Sequence, residues 1–276
     1  MLKKMKLVGT GIVAVVLLSG CSFPWQKDRS QTDKAASEAA PANEAAADAG
    51  SDATVEEALP QSNVVVIMDA SAGMNAEMDG KTKLDIAKSA VGKIMDKASR
   101  NTNVSVLTYG QQGSLDEKDK EMSCNGIDET YFFGKNNPEA VKSKVGSVKS
   151  GGYAPLAKAL EKAESIVAAH PKDESLILLV AGDGESCGGD VAAITKTIGE
   201  TSTPVYVISL DTPDETLADL TGLVYGTKNA AFFNVMKEGD VDSLIESESI
   251  NTNALRPDVA PIANDAPTQE VAPVTQ

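Results

Sequence analysis

Five short apolar runs, rich in Val, Ile and Leu, recur along the middle of the 276-residue chain. They lie at Asn63–Met68, Val104–Tyr109, Leu176–Ala181, Val205–Leu210 and, more weakly, Ala230–Val235. Continuous apolar runs bounded by turn residues are typical of strands that are buried on both faces. The runs therefore predict a central sheet that must be covered on both sides.

Helical periods fill the gaps between these runs. One predicted helix follows a capping box at Thr82 and Asp85 and carries an apolar face of Leu84, Ala87, Val91, Ile94 and Ala98. A second begins at Pro155 and carries Leu156, Ala159, Leu160, Ala163 and Val167. Alternating strands and helices imply right-handed crossovers. We therefore predict one α/β domain, residues 61–248, with a doubly wound, mainly parallel sheet and helices on both faces.

The first twenty residues have the pattern of an export signal. Lys3, Lys4 and Lys6 precede an apolar run, residues 7–18, that is too short to span a bilayer as a helix. The next tetrapeptide, Leu18-Ser19-Gly20-Cys21, resembles the bacterial lipobox. The resemblance implies that residues 1–20 are a lipoprotein signal peptide and that Cys21 carries lipid; the alternative is an ordinary signal peptide with Cys21 incidental.

Several acyl chains on one cysteine hold a protein stably on a membrane. We therefore expect an exported chain, anchored to the bacterial cell membrane or outer membrane, with its domain outside the cytoplasm.

Two segments flank the predicted domain. Residues 21–60 are dominated by Ala, Ser, Asp, Glu and Pro and contain few large apolar side chains, and residues 249–276 contain four prolines. Such segments bury too little apolar surface to offset the entropy of ordering. They predict a disordered spacer behind Cys21 and a disordered tail.

The charge of the chain excludes some partners. Its net charge is −15, and without residues 1–20, which hold three Lys and no acid, the charge is −18. Nucleic acids and anionic lipid surfaces bind basic patches. We therefore expect no nucleic-acid partner and no anionic lipid surface as partner.

The loops after the predicted strands carry the informative motifs, since ligands of such sheets bind outside the carboxyl ends of the strands. The first strand leads into Asp69-Ala70-Ser71-Ala72-Gly73-Met74. This segment resembles the metal-ion-dependent adhesion site of von Willebrand factor type A domains, whose pattern is D-x-S-x-S. The resemblance continues through the domain at Gly80–Lys83, Tyr109-Gly110, Gly151–Leu156 and Asp183–Asp190. The chain looks most like exported or membrane-attached bacterial members of that family.

The resemblance implies a set of metal ligands, because Mg²⁺ prefers near-octahedral oxygen ligands. The family supplies an Asp and two Ser from the first loop and a Thr from the second. In this sequence Asp69 and Ser71 are kept, Gly73 stands at the second Ser, and Ala154 stands at the Thr.

The third loop of the family supplies another Asp. Aligned without a gap, Gly182 falls at that position, whereas a shift of one residue places Asp183 there. The resemblance thus implies a degenerate site whose remaining candidate ligands are Asp69, Ser71 and Asp183. We predict that the domain holds no cofactor, with Mg²⁺ as the alternative.

The two remaining cysteines are Cys124 and Cys187. In an exported protein we expect them to pair, and cysteines in these two loops recur as a pair in the branch that the chain resembles. By the chain-entropy model, closing a loop of this length stabilises the fold by roughly 4 kcal/mol. The predicted role is a clamp between two loops at the ligand-binding edge.

A rival motif, Gly184-Glu185-Ser186-Cys187-Gly188, fits the G-x-S-x-G pattern of a hydrolase nucleophile elbow. That fold requires a histidine after the serine as general base. The one histidine of the chain, His170, precedes Ser186. Hydrolase chemistry at Ser186 is therefore the weaker hypothesis.

These observations predict a cell-envelope lipoprotein with a non-catalytic type A domain. We expect it to bind an unidentified envelope protein through the loops around Asp69, Asp183 and the Tyr153-Ala154 segment. The alternatives are an envelope hydrolase that uses Ser186 and a purely structural envelope subunit.

Overall fold

The computed structural model describes residues 61–247 and residue 250. The strands are β1 (Ser62–Asp69), β2 (Glu77–Met78), β3 (Lys81–Thr82), β4 (Asn103–Tyr109), β5 (Ile127–Lys135), β6 (Glu174–Ala181), β7 (Val205–Leu210) and β8 (Ala231–Val235). The helices are α1 (Lys83–Lys97), α2 (Lys120–Asn125), α3 (Pro138–Gly146), α4 (Leu156–Ala168), α5 (Val191–Gly199), α6 (Asp214–Gly226) and α7 (Glu238–Glu246). Short 3-10 turns cover Ala72–Asn75 and Glu117–Asp119. Within this part of the chain, no helix is long and apolar enough to cross a bilayer.

Six strands form the main sheet in the order β5-β4-β1-β6-β7-β8. All neighbouring pairs are parallel except β4 and β5, which are antiparallel. The remaining two strands, β2 and β3, make a small antiparallel hairpin before α1. The predicted mainly parallel, doubly wound α/β sheet is confirmed.

Helices cover both faces of this sheet because side chains alternate along the strands. Val64, Val66 and Met68 of β1 pack on one side, in a core shared with α1, α3 and α7. Val65 and Ile67 pack on the other side, in a core shared with α4, α5 and α6. Every residue of β1 is buried, which accounts for its unbroken apolar run.

The structure differs from the sequence prediction at one strand of the main sheet and at the end of the domain. Strand β5 was not predicted, because an antiparallel edge strand that is only half covered lacks a continuous apolar run. Ile250 falls within the predicted disordered tail, yet it is 3% exposed and packs in the core beside α7. Residues 1–60, including Cys21 and the predicted spacer, and the tail from residue 251 lie outside the described residues.

The order of the strands creates a switch point between β1 and β6. From β1 the chain moves outward to β4 and β5, and then it returns to β6 on the other side of β1 and continues to β7 and β8. In doubly wound sheets, ligands bind at the carboxyl edge at such a point. The loops after β1 and β6 therefore flank the expected binding position.

The loop after β4 approaches this position through a glycine. Gly110 has φ +76°, and a Cβ added there would lie 2.7 Å from Ser71 Cα and 2.8 Å from Ser71 N. A side chain at residue 110 would thus collide with the backbone of the first loop. Gly80 has a similar φ of +77°, but no atom lies within 4 Å of an added Cβ.

We expect Gly110→Ala to destabilise the fold more than Gly80→Ala does. Both substitutions force alanine into a left-handed conformation, which costs about 1–2 kcal/mol. Gly110→Ala adds the collision with Ser71, which brings its cost to about 3 kcal/mol or more. Urea unfolding followed by circular dichroism measures both, and equal losses would show that the loop after β4 can move away from Ser71.

Candidate functional site

Asp69 is the last residue of β1 and is fully buried at the carboxyl edge of the sheet. Its Oδ1 accepts a hydrogen bond from Ser71 N at 2.7 Å, and its Oδ2 accepts one from Gly182 N at 3.3 Å. The carboxyl group therefore connects the first loop to the loop after β6, across the switch point.

This environment shifts the titration of Asp69. Burial raises its pKa from 3.8 to about 6, although hydrogen bonds from Ser71 and Gly182 act in the opposite direction. The Asp183 carboxylate adds to the rise, because two like charges disfavour each other.

Asp183 reaches the first loop through the space that Gly73 leaves. A Cβ added to Gly73 would lie 2.8 Å from Asp183 Oδ2 and 3.4 Å from Asp183 Cβ. The ambiguity in the third loop is thereby resolved. Gly182 contributes its backbone N–H to Asp69, and the side chain that lies beside the first loop is that of Asp183.

Two buried hydroxyl groups near these acids, the Ser71 Oγ and the Tyr109 hydroxyl, have no partner at good hydrogen-bond geometry. Both are close enough to the Asp69 carboxyl group to interact with it. Ser71 is 2% exposed and Tyr109 is fully buried. Burial, together with the carboxylates of Asp69, Asp183 and Glu185, holds the pKa of Tyr109 well above its usual range. The Tyr109 hydroxyl therefore lies in the field of three carboxylates.

Glu185 makes contacts beside the site that the sequence analysis did not identify. Its Oε2 accepts a hydrogen bond from Ala157 N at 2.7 Å, and its Oε1 accepts one from Cys187 N at 2.6 Å. The first contact satisfies a free N–H at the start of α4, where a negative charge is favourable. Nothing in the sequence around Glu185 indicates this contact with a helix 28 residues away.

The segment before α4, residues 147–155, is hydrogen-bonded to the loops after β1 and β4. Ala72 N donates to Gly152 O at 2.8 Å, and Gly152 N donates to Gly110 O at 2.7 Å, so three loops share backbone hydrogen bonds. Tyr153 donates its hydroxyl proton to Leu115 O at 2.9 Å, and Lys120 Nζ lies 5.2 Å from the centre of its ring.

The two residues predicted to contact a partner differ in exposure. Tyr153 is partly exposed, whereas Ala154 is 1% exposed. Of this pair, only Tyr153 presents a side chain that a partner can reach.

The predicted disulfide between Cys124 and Cys187 is present, with the two Cα atoms 5.6 Å apart. It joins α2 to the loop after β6. Helix α2 belongs to the segment between β4 and β5, residues 110–126, which we call the insertion. Next to it, Lys158 Nζ donates to Cys124 O at 3.1 Å and to Asn125 Oδ1 at 2.6 Å. The bridge holds the insertion against the start of α4, beside the site.

The surroundings of Ser186 do not suit a nucleophile. Its Oγ accepts a hydrogen bond from Ala154 N at 2.7 Å. The single histidine, His170, follows the end of α4, at the opposite edge of the sheet, and stacks on Phe133 with ring centroids 4.4 Å apart. No imidazole is available to Ser186 as a general base.

Comparison with known proteins agrees with this geometry. Residues 63–247 match the model of the von Willebrand factor type A domain. The chain belongs to this family. The uncharacterized protein YwmC of Bacillus subtilis (strain 168) is 26% identical to it over 198 residues, which cover 71% of this chain and 87% of that protein.

Solved structures show the same fold. A von Willebrand factor type A protein from Catenulispora acidiphila matches with a TM-score of 0.54 and 15% identity, over 71% of this chain and 43% of that one. Proximal thread matrix protein 1 from the mussel byssus, with a zinc-occupied adhesion site, matches with a TM-score of 0.51 and 13% identity, over 68% of this chain and 44% of that one. This chain thus spans less than half of either structure.

Type A domains are commonly protein-interaction or adhesion modules, they are mostly non-enzymatic, and they can bind a metal at the adhesion site. Of the positions that the resemblance assigns to metal ligands, those of Asp69, Ser71 and Asp183 carry a side-chain oxygen in this chain. Gly73 and Ala154 contribute none. Within residues 61–247, no group of three or more His, Cys, Asp or Glu side chains is arranged to hold a metal ion.

The raised pKa of Asp69 predicts a pH-dependent stability. Between pH 3.8 and about 6 the folded state keeps the proton that the unfolded chain loses, so stability falls as pH rises through this window. The loss from this group reaches roughly 3 kcal/mol above pH 6. Asparagine is neutral at every pH. We therefore expect the free energy of unfolding of Asp69→Asn, relative to that of the wild type, to increase by up to about 3 kcal/mol from pH 4 to pH 7.

Urea unfolding at a series of pH values measures this difference. The exposed variant Asp79→Asn controls for the loss of one negative charge. Parallel pH profiles for the wild type and Asp69→Asn would show that burial does not shift the titration of Asp69.

Proposed function

We propose that the chain is an exported, lipid-anchored cell-envelope protein whose type A domain binds another envelope protein, without catalysis, through the loops at the carboxyl edge. The observation that carries this proposal is the way these loops are joined. Backbone hydrogen bonds connect the loops after β1 and β4 to the segment before α4, and the disulfide connects the insertion to the loop after β6. A surface fixed in this way can bind a partner without first being ordered.

Two features support an exported location. The lipobox-like sequence ends at Cys21, where lipid would attach. The Cys124–Cys187 disulfide suits an oxidising compartment outside the cytoplasm. The lipid anchor itself rests on residues 1–21 of the sequence.

We also propose that binding does not require a metal ion. The residues present do not fit the five-ligand shell of the family, since Gly73 and Ala154 remove two of its hydroxyls. Asp183 Oδ2 lies where a side chain at residue 73 would begin. The unpartnered Ser71 hydroxyl is a ligand-like feature, but one hydroxyl and two carboxylates leave most of an octahedral shell to water.

Thermal unfolding with and without millimolar Mg²⁺ tests this part of the proposal. We expect no Mg²⁺-dependent stabilisation of the wild type, because a ligand stabilises a fold only if it binds the folded state. The variant Gly73→Ser/Ala154→Thr restores both hydroxyls. It should be less stable than the wild type without metal, because the new side chain at residue 73 would displace Asp183, and it should be stabilised by Mg²⁺.

The matched control is Gly73→Ala/Ala154→Val, which adds similar bulk without the two oxygens. Stabilisation of the control by Mg²⁺ would show that the hydroxyls are irrelevant. Stabilisation of the wild type would overturn the metal-independent proposal.

Photo-crosslinking of the full chain in its cell envelope tests the binding function. Leu115 and Met122, in the insertion beside the site, are 60% and 58% exposed. Tyr225 is 89% exposed and lies at the carboxyl end of α6, away from the carboxyl edge of the sheet. A photoactivatable residue at position 115 or 122 should give a discrete adduct with one envelope protein, and the same residue at position 225 should not. In the same cells, Cys21→Ala should release the chain from the membrane fraction.

Each alternative predicts a different outcome. A purely structural subunit with no ligand at the strand edge would give adducts at position 225 and none at positions 115 and 122. A hydrolase that uses Ser186 would react with a serine-directed covalent probe, and the reaction would be lost in Ser186→Ala. Retention of the Cys21→Ala chain in the membrane would contradict the lipid anchor.

A further inference from the structure

Three carboxylates act on one buried hydroxyl at the site, and none of them is paired with a basic side chain of the described residues. Those of Asp69, Asp183 and Glu185 all act on the buried Tyr109 hydroxyl. None of the three forms an ion pair with a Lys, Arg or His of residues 61–247. The hydroxyls of Ser71 and Tyr109 lie among these acids, and both are buried without a partner at good geometry. Buried polar groups in folded proteins are rarely left unpaired, so these two hydroxyls keep the capacity to accept a hydrogen bond from a further donor.

One of the six carboxylate oxygens has no hydrogen-bond donor among the described residues. Both oxygens of Asp69 and both oxygens of Glu185 accept backbone N–H groups. Asp183 Oδ1 accepts from Gly184 N at 2.9 Å, but Asp183 Oδ2 receives no hydrogen bond from the described residues. Asp183 is also partly exposed, unlike Asp69. Of the three acids, Asp183 is therefore the one that is partly exposed and also has an oxygen without a donor.

Two loops beside Asp183 carry charge of the same sign. Residues 182–190 and 211–215, which follow β6 and β7, contain six acidic residues and no lysine or arginine. We call these six the acidic edge: Asp183, Glu185, Asp190, Asp211, Asp214 and Glu215. Lys83 reaches this region from α1, but it is 5% exposed and its Nζ donates to Asp211 O at 2.6 Å. Such a surface attracts cations and repels anions.

We infer that Asp183 receives a lysine side chain of the protein partner, at the position where the family's metal ion would otherwise meet a partner carboxylate. This inference rests on the proposed binding function and specifies the chemistry of the partner. A metal ion would reverse the charge of the site and allow it to bind an acid. Without two of the five ligands the charge stays negative, so an acidic partner residue is repelled and a basic one is attracted.

The single donor-free oxygen of Asp183 favours lysine over arginine as the partner side chain. Arginine binds carboxylates best through two parallel hydrogen bonds, which need both oxygens. Asp183 Oδ1 is already used by Gly184 N. A lysine ammonium is a compact charge with three donors, so it can bind Asp183 Oδ2 alone.

Peptide binding to the full chain tests this inference. The probes are short fluorescein-labelled peptides that differ only in a central Lys, Arg, norleucine or Glu, and their affinities are measured by fluorescence polarisation in EDTA. We expect the Lys peptide to bind most tightly. A hydrogen bond to a charged group predicts that Asp183→Asn weakens this binding by about tenfold or more. The matched control Asp214→Asn removes another acid of the acidic edge and should weaken it by about twofold at most.

Four results distinguish a lysine contact at Asp183 from its alternatives. Asp183→Glu retains the charge and should restore part of the affinity, which excludes misfolding as the cause of the loss in Asp183→Asn. Equal losses in Asp183→Asn and Asp214→Asn would overturn the inference in favour of diffuse attraction. Preference for the Glu peptide on addition of Mg²⁺ would also overturn it, in favour of a metal-bridged contact. If no peptide binds while position 115 still cross-links to a partner, the lysine inference fails and the proposed binding function stands.

Discussion

The buried carboxyl group of Asp69 organises the functional edge of this domain. It ends the central strand and bonds through one oxygen to the loop that follows, and through the other to the loop after β6. A buried carboxylate is costly unless donors surround it. The first loop and the loop after β6 are therefore held where their N–H groups can reach Asp69, and this position brings Asp183 beside Gly73. Gly110 lies against the same first loop, because a Cβ added there would be 2.7 Å from Ser71 Cα.

The rest of the edge is built on this connection by contacts between distant segments. The family pattern would place a threonine at residue 154, but Ala154 offers no side-chain oxygen there. Glu185 and Ser186 of the loop after β6 instead accept from Ala157 N and Ala154 N. The disulfide at Cys187 fixes that loop from the other side. The loop after β6 thus caps the start of α4.

The sequence predicted the parts of this arrangement that depend on local pattern. Strands buried on both faces reveal themselves by continuous apolar runs, and β1, β4, β6, β7 and β8 were predicted within one or two residues. Thr82 also caps α1 as predicted, because its hydroxyl accepts from Asp85 N, but the Asp85 carboxylate accepts from the Thr82 hydroxyl, so the capping box is only half formed. Strand β5 was missed because its burial is partial, and the cap from Glu185 was missed because it joins residues far apart in the chain. Whether Gly182 or Asp183 faces the first loop could not be read from the sequence either, because it depends on which of them Asp69 needs as a backbone donor.

The loss of metal ligands changes more than affinity for an ion. In a site with five oxygen ligands, the cation compensates the acids, and the assembled surface is one that an acidic partner can approach. Gly73 and Ala154 remove neutral hydroxyls, whereas Asp69 and Asp183 are kept. In the metal-independent binding that we propose, the capacity to bind the cation is lost, whereas the negative charge that the cation would have neutralised is kept. A cluster of like charges is stabilised when a cation approaches it, so in the interface that we propose a basic side chain of the partner supplies the positive charge.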